Sequence, residues 1–342
     1  MSSSKKICIV ILNWNGCGFL KRFLPSVVGC STGNVEIVVA DNGSTDESRS
    51  FVEGNFPSVI YLQLDQNYGF AEGYNRALAN LNSDFFVLLN SDVEVTPGWL
   101  DPMVGMMEKD ADIGICQPKV LSLDRRNEFE YAGGAGGFID CYGYPFCRGR
   151  VLDEVEKDHG QYDQAIQVSW ATGACMMIKS ELWQLCNGFD QDFWAHMEEI
   201  DLCWRAQHHG YKVYCSPASV VYHIGGGTLN YNSPLKIHLN FRNNLYLLFK
   251  NLPGSQLATK LPMRMILDGV AAFVFIFKGE FRSFERVFTA HVKFYFSLPS
   301  LIKKRRNILS TSKNRSIHLT TNKSVVWNYF ILKRRKYSEI IY

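Results

Sequence analysis

The stretch Phe189-Asp190-Gln191-Asp192-Phe193-Trp194-Ala195-His196-Met197-Glu198-Glu199-Ile200-Asp201-Leu202-Cys203-Trp204-Arg205 concentrates carboxylates among aromatic side chains. Glu198 and Glu199 fall in a first helical turn, where the helix dipole favours negative charge, and Asp201 with Arg205 forms an i,i+4 ion pair. A solvated helix start accounts for those residues alone. It does not account for the flanking Phe193, Trp194, Met197 and Trp204, an apolar, stacking environment suited to a base of raised pKa over a sugar ring. Neighbouring helical residues point in different directions, so Glu198 and Glu199 cannot share one role.

Other polar clusters sit at the ends of apolar runs. Asn90-Ser91-Asp92 follows Phe85–Leu89, and a carboxylate at the end of a strand buried on both faces is costly unless it is paired or metal-bound. A hard divalent cation bridging Asp92 to a diphosphate fits that position, as does a turn-forming Asp. Asp41 opens Asp41-Asn42-Gly43-Ser44-Thr45-Asp46 and reads equally as a turn cap or as an acceptor for a nucleobase or ribose. Asn13-Trp14-Asn15 ends the first apolar run. Asn67-Tyr68-Gly69-Phe70-Ala71-Glu72-Gly73-Tyr74-Asn75 has glycines that admit a close diphosphate or base. His223 precedes three glycines, Gly225 to Gly227, where its ring could reach a metal or phosphate, although a lone His is usually structural. Arg242, near His238, Asn243 and Asn244, could neutralise a leaving diphosphate.

The elements that must position these groups alternate in type. Ile7–Leu12, Val35–Ala40, Val59–Leu64 and Phe85–Leu89 read as strands, with helices at Phe19–Val28, Glu47–Phe56 and Phe70–Leu81 between them. That rhythm implies an α/β fold with a mostly parallel sheet and helices on both faces, in which ligands bind beyond the carboxyl ends of the strands. The glycine- and aromatic-rich segment from Gln117 to Val168 reads as loops and short strands covering the site. Helices at Lys179–Leu185 and Glu198–His209 and a strand at Ser219–His223 complete the pattern.

Charge divides the chain. Residues 253–342 hold 17 Lys+Arg against 4 Asp+Glu, whereas residues 1–252 hold 19 against 29, giving +13 and −10. The acidic body argues against a nucleic-acid partner, and the basic tail, with Lys303-Lys304-Arg305-Arg306 and Lys333-Arg334-Arg335-Lys336, suggests an anionic lipid surface. Met265–Phe277 is too short to span a bilayer. The expected boundaries are 1–252 for a catalytic domain, split near 116 into a nucleotide half and an acceptor half, and 253–342 for a basic helical extension. No secretory leader is legible at Met1-Ser2-Ser3-Ser4-Lys5-Lys6, so the expected location is cytoplasmic, with peripheral contact on the inner face of the plasma membrane. The ten cysteines lack metal-ligand spacing and read as free thiols.

The ordered motifs over residues 6–252 resemble the family 2 glycosyltransferases of GT-A fold, in particular the bacterial rhamnosyltransferase-like branch. The resemblance implies an inverting transfer from a nucleotide-diphosphate sugar, such as dTDP-rhamnose or a UDP-sugar, to a glycan or lipid-linked hydroxyl in cell-envelope polysaccharide synthesis. It implies that Asp41 reads the nucleobase, that Asp92 and His223 hold Mg2+ or Mn2+, and that Glu199, beside Glu198, is the base. Asn13, Asn67, Gly69, Asn75, Asn90 and Arg242 join the donor site, and Trp170, Gly173, Trp194 and Asp201 the acceptor wall. Two positions depart from the family pattern. Asn90 replaces the first Asp of Asp-X-Asp, and Glu199 is one methylene longer than the usual Asp. A sugar-nucleotide pyrophosphorylase would instead carry a glycine- and lysine-rich loop after its first strand, where Asn13-Trp14-Asn15-Gly16 stands. A sugar- or nucleic-acid-binding homologue without catalysis is the remaining alternative.

Overall fold

The architecture is that of a computed structural model in which residues 5–225, 233–313 and 321–341 are described. Met1 to Ser4, and Gly226 and Gly227 of the glycine triplet, lie outside the described residues. The chain begins with β1 (Ile7–Asn13), α1 (Cys17–Cys30), β2 (Val35–Asp41), α2 (Ser48–Asn55), β3 (Ile60–Gln63), α3 (Gly69–Leu78) and β4 (Phe85–Asn90). It continues with β5 (Val93–Val95), α4 (Asp101–Lys109) and β6 (Ile113–Ser122).

Four short strands follow, β7 (Gly137–Ile139), β8 (Pro145–Cys147), β9 (Arg150–Val151) and β10 (Glu154–Val155). Next come β11 (Ile166–Gln167), β12 (Cys175–Lys179), α5 (Ser180–Leu185), a 3-10 turn at Gln191–Phe193, α6 (Glu198–His208) and β13 (Lys212–His223). The remainder is helical: α7 (Pro234–Asn251), α8 (Gly254–Phe277), α9 (Phe281–Thr311), α10 (Val325–Phe330) and α11 (Tyr337–Ile341).

The main sheet runs β11-β13-β6-β12-β4-β1-β2-β3, with β5 paired to β13. Strands β1 to β4 are mutually parallel, and β6 runs parallel to β13, while β12, β5 and β11 join antiparallel. Alternation along each strand decides which layer it supports. Ile7, Ile9 and Ile11 pack with Leu20, Leu24 and Val27 of α1, whereas Cys8 and Val10 face Ala71, Tyr74 and Ala77 of α3. β4 is apolar on both faces because helices cover both, which is why Phe85–Leu89 shows no alternation.

Two elements extend beyond their sequence readings. β13 begins at Lys212 rather than Ser219, because its register against β6 shifts between Ser216 and Val220, around Pro217, and the irregularity hides the strand's first half from its hydrophobic pattern. The segment read as loops and short strands, Gln117 to Val168, holds the second half of β6 and a second, four-stranded sheet, β10-β9-β8-β7.

The basic tail folds back on the body. Tyr337 of α11 stacks against Phe138, Phe146 and Tyr162, and the Val325 amide donates to Asp140 at 2.8 Å. Lys304 of α9 reaches Asp190 at 2.5 Å and Asp192 at 2.6 Å, and Arg305 donates to the Phe249 carbonyl at 2.6 Å. The first basic cluster is therefore only partly a free surface, since two of its four members turn inward. The second cluster, 333–336, is exposed throughout.

Candidate active site

One cavity of about 1580 Å³ opens at the carboxyl ends of β1 and β4 and continues to the C-terminal helices. At its first end the β1 terminus places Asn13, whose amide donates to Ser44 and Ser48 at 3.3 and 3.0 Å while its buried Oδ1 has no partner among the described residues. Gly16 is required beside it, since a Cβ there would lie 2.4 Å from that oxygen. Asn42 ties this end together. Its amide donates to Asn67 Oδ1 at 3.1 Å and to the Gly69 carbonyl at 2.9 Å, and its Oδ1 accepts from the Tyr68 amide at 3.0 Å.

Asp92 follows β4, and β13 brings His223 to it because His223 pairs with Val93 in the β5–β13 ladder. Asp92 Oδ1 lies 3.1 Å from His223 Nε2, and Glu130 Oε2 lies 3.4 Å from His223 Nδ1, all three side chains being buried. Burial alone would lower the imidazole pKa, but the carboxylates of Glu130 and Asp92 outweigh it and raise the ring to about 10. The ring thus sits between two acids. Among the described residues no three His, Cys, Asp or Glu side chains form a complete metal cage.

The glutamates enter from α6 behind a strained loop. Trp194, His196 and Met197 all take positive φ, at 63°, 67° and 71°, at a cost of about 1–3 kcal/mol each. Such a loop persists only if its surroundings over-determine it, and Asn243 of α7 does so. Its amide nitrogen lies 3.0, 2.9 and 2.7 Å from the carbonyl oxygens of Phe193, Ala195 and His196. Arg242 adds donors to the Asp192 and Phe193 carbonyls, and the Trp194 carbonyl accepts from the Phe70 and Ala71 amides at the start of α3. Gly69, at φ 76°, lies against the Trp194 indole where a Cβ would come within 2.7 Å.

Glu198 and Glu199 both line the cavity, and the Oε2 atom of each is buried without a partner among the described residues. Burial, with the charge of Glu199 adding to it, holds the Glu198 carboxyl well above the carboxylate range. Burial raises Glu199 to about 7, against the opposing pull of backbone amides at the helix start. The residue as a whole is half-buried, with Oε2 sealed from solvent. Burial thus raises both acids, with the charge of Glu199 a further cause at Glu198.

The cavity gathers many of the expected site residues. Asn13, Asn67, Gly69, Asn90, Asp92, Trp170, Gly173, Trp194, Glu198, Glu199 and His223 all line it. Four do not. Asp41 is turned into its own strand end, accepting from the Ser44 amide and hydroxyl at 3.1 and 2.5 Å and from the Tyr61 hydroxyl, so the turn-capping geometry is the one realised. Asn75 spends both ends of its amide on the backbone of Phe189. Arg242 spends its guanidinium on the loop, away from the cavity. Asp201 is buried between Arg205, Lys250 and Asn251, where the two cations outweigh burial and lower its pKa.

Sequence reasoning missed Asn42, which stands next to a residue it did single out, and Glu130, Arg150, Lys236 and Asn243. Glu130 and Arg150 come from the irregular segment, where no periodicity marks a position.

A sequence profile for glycosyl transferase family 2 matches residues 8–181, just over half of the chain. The N-acetylglucosaminyl-diphospho-decaprenol L-rhamnosyltransferase of Mycobacterium tuberculosis (strain CDC 1551 / Oshkosh) is 24% identical over 239 residues, covering 64% of this chain and 76% of that protein. Among solved structures, GalNAc-T7 with UDP, GalNAc and Mn2+ superposes at TM-score 0.58 and 17% identity, covering 74% of this chain and 49% of that one. Staphylococcus aureus TarS 1-349 with UDP-GlcNAc superposes at TM-score 0.57 and 14% identity, covering 90% and 84%. These likenesses establish a GT-A fold.

Proposed function

This chain belongs to glycosyl transferase family 2, and on that premise we propose that it is an inverting hexosyltransferase whose acceptor is a lipid-linked saccharide hydroxyl. The observation that carries the reading is the pair of buried, unequal glutamates at the start of α6, in the same cavity as Asp92 and His223. Glu199, poised at about 7, takes the acceptor's proton as its oxygen bonds to the anomeric carbon and the bond to the diphosphate breaks. Glu198, its carboxyl raised by burial and by the charge of Glu199, lines the cavity beside it at the acceptor side.

The donor is a nucleotide-diphosphate sugar, with dTDP-rhamnose or a UDP-sugar as the leading candidates. Its nucleotide occupies the end formed by Asn13, Asn42, Asn67 and Gly69, and Trp170, Gly173 and Trp194 form the acceptor wall. The donor set suits a cation that takes one or two protein ligands and completes its shell with phosphate oxygens and water, because Asp92 is offered beside an imidazole that would give up its Nε2 proton to the exchange while Glu130 keeps Nδ1. Asp92 and His223 would hold Mg2+ or Mn2+, which when bound supplies positive charge to the departing diphosphate. The relative's decaprenol-linked acceptor and the apolar continuation of the cavity support a lipid-linked acceptor here.

Contact with an anionic membrane belongs to the same reading. No described helix is long and apolar enough to cross a bilayer. Ile266, Phe273 and Phe277 instead stand exposed along α8, outside the cavity lining, and Leu332 stands exposed beside the basic run 333–336. An apolar face flanked by Lys and Arg lies in the headgroup plane. The domain boundary near 252 and a cytoplasmic location, on the inner face of the plasma membrane, complete the reading.

The test is transfer from a panel of UDP- and dTDP-sugars to a lipid-linked saccharide, with the anomeric configuration of the product read by NMR. Inverted product with Mg2+ or Mn2+ is expected, and retained configuration would refute the single displacement.

A further inference from the structure

The same cavity takes in a basic stretch and an apolar one. Arg150 is buried, stacks 3.9 Å over Tyr131, donates to the Leu152 carbonyl at 3.2 Å, and leaves its Nε without a hydrogen-bond partner among the described residues. No carboxylate lies within ion-pair distance of it among those residues, although a buried cation without an anion is costly. The nearest acid that acts on it, Glu130, is shared with His223. Lys236, in the first turn of α7, lines the same stretch, and so does Arg264, which is paired to Asp268 at 2.7 Å yet keeps Nη1 unpartnered among the described residues.

The apolar stretch is hydrocarbon. Leu267, Val270 and Val274 of α8 and Val326, Trp327 and Phe330 of α10 line it, with Lys278 also in the lining. From Met263 to Val274 the helix advances about 16 Å at 1.5 Å per residue. A buried cation without an ion-pair partner among the described residues, in one cavity with an open apolar trough, complements a molecule with a phosphate at its head and a hydrocarbon chain behind it. A bilayer surface could cover the trough but could not reach Arg150 inside the cavity. The occupant is therefore a single amphiphile threaded into the catalytic cavity.

We propose that this arm is the acceptor's lipid-diphosphate subsite, in which Arg150 and Lys236 bind the diphosphate joining sugar to lipid and the trough between α8 and α10 holds the first stretch of its chain. The assignment rests on the lipid-linked acceptor reading above and locates it on the molecule. It also explains why a helical tail is built onto the transfer domain, since the tail supplies the walls that the head-to-chain transition of the acceptor needs.

The full-length protein, saturated with uridine diphosphate and Mn2+ to fill the donor end, is titrated calorimetrically with farnesyl diphosphate, inorganic diphosphate and farnesol. Farnesyl diphosphate should bind one to one and at least tenfold tighter than inorganic diphosphate, roughly the least that burial of two methylenes provides. It should bind more tightly than farnesol by a similar factor. Val270→Glu, at an exposed position of α8, should abolish the preference for the farnesyl chain while leaving uridine diphosphate affinity intact. Lys236→Gln should weaken both diphosphates by roughly tenfold, as expected for one lost charge-assisted contact.

Displacement of farnesyl diphosphate by uridine diphosphate, or an affinity indifferent to both variants, would overturn the subsite. So would phosphatidylglycerol vesicles that compete for the arm with the same dependence on Val270 and Lys236, since the trough would then be a membrane face. Probe binding as described with no transfer to any lipid-linked saccharide refutes the reaction and leaves the subsite standing. Transfer to such an acceptor with unchanged KM in both variants refutes the subsite alone.

Discussion

Replacing Glu199 by Gln should make the protein more stable at alkaline pH and nearly inactive. The carboxyl rises from its ordinary 4.5 to about 7 in the folded protein because burial disfavours its charge. Between those values the folded chain keeps a proton that the unfolded chain releases, so the folded state binds more protons. Stability therefore falls as pH climbs from about 4.5 to about 7 and is level above that. The full shift corresponds to roughly 3 kcal/mol, and the water that reaches the half-buried stem reduces this to about 2 kcal/mol. An amide of the same shape is neutral at every pH and, like the protonated acid, has a donor to satisfy at that point. Glu199→Gln should thus match wild type in urea unfolding at pH 4.5 and exceed it by about 2 kcal/mol at pH 8. Transfer by wild type should rise with pH through about 7, while the variant loses about 10²–10⁴ in turnover and shows no such rise. Glu198→Gln should keep the rise. A Glu199→Gln protein that is less stable at pH 8, or that retains the pH-dependent limb, would show that another group is the base.

Asp92→Asn should lose the dependence of nucleotide diphosphate binding on Mg2+ or Mn2+, and equal wild-type affinity in metal and in chelator would remove the metal from the site. Asn243→Ala leaves the Ala195 and His196 carbonyls unserved at about 1–3 kcal/mol per group, comparable with the strain they restrain, so the loop should relax. Turnover should drop roughly 10²-fold with nucleotide affinity nearly unchanged, and a parallel loss of both would mean general unfolding instead. Lys304→Gln, which removes one of two cations from Asp190, should lower stability by about 1–2 kcal/mol in thermal melts and slow transfer, whereas a silent variant would mean that α9 does not brace the glutamate loop. Gln at all four positions of 333–336 should reduce sedimentation with anionic vesicles at low salt, and binding indifferent to both charge and salt would exclude the electrostatic contact.

The alternating elements from Ile7 to Asn90 were legible because a strand buried on both faces and a helix buried on one leave different periods in the chain, and those periods are local. The same is true of Glu198 and Glu199, whose aromatic flanks and helix-start position lie within one short segment. Asp92 was legible as a carboxylate that needed company, but its companions are 131 and 38 positions away in His223 and Glu130, brought in by strand pairing that no local pattern encodes. Asn243 had no chance of being singled out, since its importance lies in three carbonyls of another element. Asp41, Asn75, Arg242 and Asp201 have the residue types of a site, yet tertiary structure spent their hydrogen bonds on strand ends, the glutamate loop and a buried ion network. The tail shows the same division. Its charge and apolar run were plain, but the inward turn of Lys304 and the joining of α8 to the catalytic cavity depended on packing. Hydrophobic period is a property of neighbours in the chain, whereas the pKa of a carboxylate, the partner of a cation and the wall of a cavity are properties of neighbours in space, and only the folded chain brings those together.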